Sequence, residues 1–368
     1  MPDPTPRRRR PYGCLLVVSL LLNLILAYAL WPSTSEDEPE VTETRLYGPK
    51  RAADKVAVVR AEGALVEGLD RHILRQIQTA ARDKQVKAVV LRIDSPGGTV
   101  GASEDIHREL TRLRAGQHPR YPDARPKPLV ASMGSIAASG GYYIAMPAEK
   151  VFAEKGTLTG SIGVFASLPN VAELANNNGV RMELIKAGPI KGSGSPFHEL
   201  TPAEREPWQD MVDQAYDQFL DVVAKGRPGL TKEVLRGEVV IKKDAFLYDD
   251  KGNVRKDNMG QPLKTPVERF RADGGTFTAA EAKQFKLIDD IGLLEDAVAA
   301  AARSAGLSEY RVVAYERPPS LLNALIGMRA HPAGGTDLSQ LAAGLTPRVW
   351  YLAPQCELSG MLSASAPR

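Results

Sequence analysis

The sequence is poor in the residues that build metal sites and disulfide frameworks. Only two of its 368 residues are cysteines, Cys14 and Cys356, and only five are histidines. The histidines are scattered, without the paired spacing of a metal-binding motif such as HExxH. Charge is nearly balanced, with a formal net charge of +3, and much of the excess is one arginine run, residues 7–10. We therefore expect no metal, no cofactor, no disulfide framework and no nucleic-acid partner, which would need a basic stripe.

A basic segment followed by one long apolar run marks the N-terminus. Residues 1–12 carry the arginine run, and residues 13–31 are almost wholly apolar. That length suits a helix that crosses roughly 30 Å of hydrocarbon, and the flanking positive charge predicts an N-terminus inside the cell. A cleaved signal peptide is the alternative, because Ala27 and Ala29 resemble a cleavage site. We favour a single-pass anchor in the cell membrane, and both interpretations place the rest of the chain outside the cytoplasm.

Composition divides the remaining chain into three parts. Residues 32–54 are acidic and aperiodic, which predicts a stalk. Residues 55–305 alternate apolar strands with amphipathic helices, which is typical of an α/β domain with a mainly parallel sheet covered on both faces. Within that domain, residues 240–271 hold turn residues and many charges and predict a β-rich insertion. Residues 306–368, rich in proline, glycine and alanine from position 317, form a C-terminal extension.

The periodicity of apolar residues predicts the individual elements of the domain. Strands are predicted at residues 56–59, 86–93 and 128–131, and a strand-like run at 181–185. Helices are predicted at residues 69–81, 104–113, 208–223, 278–285 and 294–302. Thr201 and Glu204 have the spacing of a capping box just before the third of these helices.

Two glycine-rich segments follow predicted strands, DSPGG at 94–98 and MGSIAASGGYY at 133–143. Glycines at strand ends let backbone N–H groups turn toward a ligand. Each segment alone fits an ordinary tight turn, but the pair favours an oxyanion-binding arrangement that includes Gly98 and Gly140. A phosphate-binding loop is disfavoured, because neither segment matches GxxxxGK[ST] or GxGxxG.

Ser139 in the second segment is a candidate nucleophile, which needs a base to react at neutral pH. No histidine lies between His118 and His198, although a Ser-His-Asp triad can draw on remote residues. Lys191 is the other candidate base, provided that burial lowers its pKa. A surface lysine is the simpler interpretation of Lys191 from the residues alone, so both arrangements stay open at this point.

Four segments occur in a characteristic order: RIDSPGGTV (92–100), SMGSIAASGGYYIA (132–145), GTLTGSIGV (156–164) and IKAGPIKGSGSPF (185–197). Taken together, they resemble the signal peptide peptidase A family, the S49 serine proteases. The resemblance covers residues 55–305 apart from the insertion, and it implies a Clp-protease/crotonase-like fold. It also implies roles for five residues: Ser139 as nucleophile, Lys191 as general base, Ser161 as the group that orients the lysine, and the N–H groups of Gly98 and Gly140 as the oxyanion hole. Ser135 and Lys186 are the neighbours that this alignment passes over.

The resemblance further implies a membrane-bound endopeptidase that degrades remnant signal peptides or other membrane-associated peptides on the extracytoplasmic side. Short members of the family form homo-octamers in which the lysine reaches the serine of a neighbouring subunit, so we expect a homo-oligomer. A catalytically silent, membrane-tethered scaffold is the alternative, against which the intact Ser139, Ser161 and Lys191 argue. A crotonase-like acyl-CoA enzyme is a second alternative, and the expected placement outside the cytoplasm argues against it.

Overall fold

The computed structural model describes Ser19 and residues 41–68, 70–249, 251–317 and 348–352. The chain divides into two units, Met1–Glu40 and Val41–Arg368. The predicted basic segment and anchor, residues 1–31, lie outside the described residues except for Ser19. Within the described part, no helix combines the length and apolar character that a membrane crossing requires.

The second unit contains strands and helices in alternation. The described strands are β1 (Thr42–Tyr47), β2 (Lys55–Glu62), β3 (Val86–Ser95), β4 (Gly97–Thr99), β5 (Leu129–Ala138), β6 (Lys150–Ala153), β7 (Leu158–Gly160), β8 (Phe165–Ser167), β9 (Val239–Phe246), β10 (Lys264–Phe270), β11 (Thr276–Thr278), β12 (Asp290–Ile291), β13 (Arg311–Glu316) and β14 (Arg348–Leu352). The described helices are α1 (Asp70–Arg82), α2 (Val100–Ala115), α3 (Gly140–Tyr143), α4 (Ala172–Asn177), α5 (Pro202–Gly226), α6 (Lys232–Gly237), α7 (Ala279–Gln284) and α8 (Leu294–Ser304).

One mainly parallel sheet organises this unit. Its strand order is β1-β13-β2-β3-β5-β6-β12, with β7 paired to the end of β5 and β11 paired to β7. All these pairs are parallel except β1–β13 and β7–β11. Continuous apolar runs form the central strands, as expected for strands that are buried on both faces. The predicted α/β class with a mainly parallel sheet is therefore confirmed.

Helices cover both faces of the sheet. Ile77 of α1 and Ile106 of α2 pack with Val59 on one face, whereas Val298 of α8 packs with Val58 on the other. Successive side chains of a strand point to opposite faces, so β2 contributes to both clusters. The helices predicted at these positions, and the helix that became α5, are confirmed.

The capping box at the start of α5 is also confirmed. The Thr201 hydroxyl accepts from the Glu204 N–H at 3.3 Å, and the Thr201 N–H donates to the Glu204 carboxylate at 3.1 Å. Each side chain thereby satisfies a backbone N–H that has no acceptor within the helix.

Three sequence expectations need correction. Residues 181–185 form no strand and are exposed, Ile185 at 96 %, because no neighbouring strand in the described chain pairs with them. Part of the predicted stalk is strand β1, an edge strand whose charged, half-exposed pattern resembles a linker in sequence. Strand β13 lies beyond residue 305, so the sheet draws on both segments that were predicted to flank the domain. The predicted β-rich insertion at 240–271 corresponds to the antiparallel pair β9–β10, which begins one residue earlier, at Val239, and ends at Phe270.

Candidate active site

Three parallel strands end side by side at one edge of the sheet. Ser95 at the end of β3 pairs with Ala137 of β5, and Ala138 of β5 pairs with Gly160 of β7. Segments that leave the carboxyl ends of neighbouring parallel strands meet at the same edge. Ser139 follows Ala138 directly, Ser161 follows Gly160 directly, and the glycine segment with Gly98 follows β3. The structure therefore brings together the predicted site residues of three separate motifs.

Ser139 occupies a strained turn between β5 and α3. Its φ is 54° and its ψ is −116°, a conformation that costs a non-glycine residue about 1–3 kcal/mol. Two backbone hydrogen bonds hold the turn: the Ser139 N–H donates to the Gly160 carbonyl at 2.8 Å, and the Tyr143 N–H donates to the Ser139 carbonyl at 2.9 Å. A sharp, strained turn between a strand and a helix is a known way to expose a nucleophilic serine at the edge of a sheet.

The hydroxyl of Ser139 is buried and lacks a hydrogen-bond partner among the described residues. Leaving a buried hydroxyl without a partner costs about 1–3 kcal/mol, so such groups are rare outside functional sites. The residue thus combines backbone strain with an unused polar group. Both features fit a nucleophile whose base is supplied from elsewhere.

Strand β4 supplies the first candidate oxyanion donor. The Leu65 N–H donates to the Gly97 carbonyl at 2.9 Å, and the Thr99 N–H donates to the Leu65 carbonyl at 2.8 Å. Backbone groups of successive residues face opposite sides of a strand, so the Gly98 N–H and C=O face away from Leu65. A Cβ on Gly98 would lie 1.8 Å from the Leu65 carbonyl oxygen, so only glycine fits at this position.

Helix α3 supplies the second candidate donor. Gly140 is its first residue, and N–H groups in the first turn of a helix have no acceptor within the helix. A Cβ on the next residue, Gly141, would lie 2.6 Å from the Ser95 carbonyl oxygen. Gly141 therefore lets the start of α3, where Gly140 is the first residue, approach the end of β3.

Ser161 also has a positive φ, 51°. Its N–H donates to the Gly275 carbonyl and its hydroxyl donates to the Gly274 carbonyl, both at 2.9 Å. Its hydroxyl oxygen can still accept a hydrogen bond, and a cavity of about 420 Å³ opens beside it. Phe165 and Tyr216 are among the residues that line this cavity.

Lys191 takes no part in this cluster, because its amine makes no hydrogen bond or ion pair with any described residue. Its side chain is exposed, and its backbone N–H donates to the Gly188 carbonyl at 3.2 Å. The segment around it is unusually apolar for a surface. Its exposed apolar residues are Val180, Met182, Leu184, Ile185 and Ile190. Since the Ser139 hydroxyl has no partner, the two residues form no dyad within the described chain.

The neighbouring alternatives have other roles. The Lys186 amine donates to the Pro189 carbonyl at 2.9 Å and pairs with the Glu204 carboxylate at 3.3 Å, so it is tied to the start of α5. Ser135 lies within β5 with its side chain exposed. Neither side chain hydrogen-bonds to the Ser139 hydroxyl, so neither acts as its base in the described chain.

Several contributors to the site act through backbone atoms alone. The carbonyls of Leu65, Gly160 and Gly274 fix the positions of β4, Ser139 and Ser161. A backbone carbonyl leaves no side-chain signal, so sequence reasoning missed Leu65 and Gly274. Gly160 did leave a signal, because its φ of 80° requires the glycine in the TGSIGV motif.

Comparison with known proteins matches the site to a family. Residues 123–246, which include Ser139, Ser161 and Lys191, match the model of peptidase family S49. The chain is 33% identical over 310 residues to "Putative protease slr0021" of Synechocystis sp., across 83% of this chain and 94% of that protein. It is 30% identical over 302 residues to "Protease 4" of Salmonella typhi, across 80% of this chain. It is 35% identical over 207 residues to "Serine protease SPPA, chloroplastic" of Arabidopsis thaliana, across 52% of this chain.

The lengths of these relatives differ. The chain spans 42% of the Salmonella protein and 29% of the Arabidopsis protein. Among solved structures, a point mutant of ClpP1 from Listeria monocytogenes is similar at a TM-score of 0.35 and 13% identity, across 66% of this chain and 94% of that one, a likeness too loose to carry an argument. The near full-length match to the Synechocystis protein and the matched family model agree with the motifs at the sheet edge. The chain therefore belongs to peptidase family S49, as a serine protease of the signal peptide peptidase A type.

Proposed function

We propose that this chain is an endopeptidase with a Ser139–Lys191 dyad that is completed between copies of the chain. It degrades remnant signal peptides or other membrane-associated peptides on the extracytoplasmic side of the cell membrane. The observation that carries the proposal is Ser139 itself, whose backbone is strained and whose buried hydroxyl has no partner in the described residues. It stands beside two glycine segments whose N–H groups can stabilise an oxyanion.

The chemistry is acyl transfer. The neutral amine of Lys191 removes the Ser139 proton, and the Ser139 oxygen attacks the peptide carbonyl carbon. The N–H groups of Gly98 and Gly140 stabilise the oxyanion, where one such donor is worth about 10²–10³ in kcat. Lys191 then gives its proton to the leaving amine, and water hydrolyses the acyl-enzyme with Lys191 again as base.

Supply of the lysine from a second copy accounts for two observations together. Lys191 is exposed on an apolar segment, and apolar surface of this kind marks an interaction site. Ser139 has an unused hydroxyl, and the cavity beside Ser161 offers room for an incoming side chain. At such an interface Ser161 would orient the incoming amine through the lone pairs of its hydroxyl. A head-to-tail ring delivers each lysine to its neighbour, and we propose the octamer of short family members.

The substrate class and location rest on the sequence pattern and on the family. The basic and apolar segments, 1–12 and 13–31, support an anchor that holds the catalytic unit beside the membrane. Signal peptides left in the bilayer are apolar segments at that place. The finer fold assignment, Clp-protease/crotonase-like, accords with the parallel sheet and with the convergence of glycine turns at one sheet edge.

The detergent-solubilised full chain, incubated with casein and with a synthetic signal peptide, tests the proposal. We expect Ser139→Ala and Lys191→Ala each to reduce turnover by about 10³-fold or more. Ser135→Ala and Lys186→Ala are the matched controls, and both should keep turnover within a few fold of the wild type. Turnover that survives both dyad substitutions contradicts the dyad, and a wild type without turnover in every assembly state supports the silent scaffold.

A further inference from the structure

A second cavity, of about 910 Å³, lies at the edge of the sheet opposite to Ser139. Its lining comes from the end of α1, the start of β3 and the loop that leads into β5, residues 120–127. Ser139 follows the other end of β5, and the 10 residues of that strand span about 30 Å. The volume is that of a small-molecule site, so this cavity is a candidate site of its own.

The lining of this cavity is strongly basic. It includes six cationic side chains and two carboxylates, which gives a formal charge of +4. The whole chain carries +3, and without the four arginines at 7–10 it carries −1. The cavity therefore concentrates positive charge on a chain that is otherwise slightly acidic, and such a concentration attracts anions. The charged lining residues are Arg82, Lys84, Lys87, Arg120, Arg125, Lys127, Asp83 and Asp123.

Four of the six cations are available to a ligand. Their side chains are exposed at the cavity and make no hydrogen bond or ion pair with any described residue. An anion in the cavity would thus meet guanidinium and ammonium donors whose hydrogen bonds are unused. Guanidinium groups match the paired oxygens of a phosphate especially well. The four residues are Arg82, Lys84, Arg120 and Arg125.

Negative groups beside the cavity are neutralised from within the protein. The buried Lys127 amine donates to the Asp83 carbonyl at 2.7 Å and the Ala81 carbonyl at 3.1 Å. It also donates to the Ala80 carbonyl. Carbonyl groups at a helix C-terminus carry the negative end of the helix dipole. The Asp83 carboxylate in turn accepts from the Lys55 amine at 2.8 Å. These contacts remove much of the repulsion that an anion would otherwise meet.

The loop that carries Arg120 and Arg125 is held in place by its own contacts. The Nε2 atom of His118 lies 3.0 Å from the Glu109 carboxylate of α2, and the His118 ring stacks on Tyr121 at 4.5 Å. The Tyr121 N–H donates to the His118 carbonyl at 3.0 Å. A wall that is already ordered loses little conformational entropy when a ligand binds.

We propose that this cavity binds a phosphate-bearing anion. The arginines and lysines would hold the phosphate oxygens, and the apolar part of the lining, which includes Val86, Pro122 and Pro126, would contact an organic body. A small soluble phosphate and the headgroup of an anionic lipid offer the same phosphate chemistry. The inference is independent of the proposed peptidase activity, because none of the proposed catalytic residues lines the cavity.

Isothermal titration calorimetry of the detergent-solubilised full chain tests the proposal with two probes. Inorganic pyrophosphate represents the soluble source, and glycerophosphoglycerol, the headgroup of phosphatidylglycerol, represents the lipid source. The test variant combines Arg120→Glu with Arg125→Glu. The matched control combines Lys150→Glu with Arg303→Glu, which changes the net charge equally at exposed residues outside the cavity. A third variant, Arg120→Lys with Arg125→Lys, keeps the charge of the loop.

We expect at least one probe to bind the wild type, and the test variant to bind it at least about tenfold more weakly. The matched control should bind within about twofold of the wild type, and the lysine variant within a few fold. The probe that binds more tightly identifies the source of the phosphate. Failure of both probes to bind, an unchanged affinity in the test variant, or an equal loss in the matched control overturns the inference.

Discussion

Substitution of Ser139 should make the chain more stable, although it removes the nucleophile. The residue carries two separate costs, each of about 1–3 kcal/mol: a positive φ of 54° and a buried hydroxyl without a described partner. Ser139→Ala removes only the hydroxyl, and we expect it to raise the free energy of unfolding by about 1 kcal/mol. Ser139→Gly removes the hydroxyl and also the strain of the positive φ. Part of that gain in the free energy of unfolding, about 0.5–1 kcal/mol, is lost because glycine has more conformational freedom in the unfolded chain. We expect it to gain about 2 kcal/mol.

Urea unfolding of the unassembled chain, followed by circular dichroism, measures these differences. For a domain of this size, 1 kcal/mol also corresponds to about 2–4 °C in Tm. Ser135→Ala is the matched control, because Ser135 is exposed on the same strand, and it should change stability by less than about 0.5 kcal/mol.

The assembled protein should behave differently. If Lys191 of another copy bonds the Ser139 hydroxyl there, the gain from Ser139→Ala should shrink on assembly and return in the Lys191→Ala background. A Ser139→Ala chain that is less stable than the wild type when unassembled would refute the reasoning, since it would mean that the hydroxyl is already satisfied.

Three further predictions concern the surroundings of the site. Asp289→Ala should lower the free energy of unfolding by about 1–2 kcal/mol, because it removes the partly exposed carboxylate that binds the buried Arg227 guanidinium at 2.7 and 3.1 Å and leaves Arg227 with the Lys286 carbonyl. Asp290→Ala, at the neighbouring exposed carboxylate, is the control, and urea unfolding measures both. Burial lowers the pKa of His107 from 6.5 to about 4. Between those pH values the imidazole is therefore protonated in the unfolded chain and neutral in the folded chain. The free energy of unfolding should therefore fall by on the order of 2 kcal/mol as the pH drops from 6.5 to about 4. His107→Phe should make this pH dependence shallower, and an unchanged pH dependence would contradict the assignment. Gly98→Ala should abolish turnover, because its Cβ would meet a backbone oxygen at 1.8 Å; near-normal kcat would contradict the geometry of β4.

The central sheet could be predicted from the sequence because its signal is local. Strands β2, β3 and β5 each contain runs of small and branched apolar residues, and burial on both faces requires such runs. Strands β1 and β13 join the sheet from segments predicted to lie outside the domain. Their pairing joins residues far apart in the chain, so no local pattern reveals it.

The site was predictable to the extent that its chemistry lies in side chains and glycines. Ser139, Ser161 and Gly98 converge because each follows the end of one of three neighbouring strands, an order that the motifs preserve. The predicted role of Lys191 stays a prediction, because its amine contacts no partner among the described residues. The strand at 181–185 was wrong, since an apolar alternation that lacks a neighbouring strand gives no sheet.

Strand β14 was out of reach of sequence reasoning for a related reason. Its residues, RVWYL, have the β-branched and aromatic character of a strand, but they stand in a region rich in proline, glycine and alanine. What makes them a strand is the pair of edges on β4 and β8, which come from two distant segments. Only the folded chain shows that those edges face each other.

Complementation between two inactive variants tests the central claim, that the dyad forms between copies, most directly. Ser139→Ala and Lys191→Ala are purified separately, mixed in equal amounts, dissociated and reassembled, and then assayed with a fluorogenic peptide. In a head-to-tail ring, about a quarter of the interfaces would join an intact serine to an intact lysine, so the mixture should recover about a quarter of wild-type turnover. A mixture that forms mixed assemblies, verified by native mass spectrometry, and yet stays as inactive as either variant alone would contradict the account.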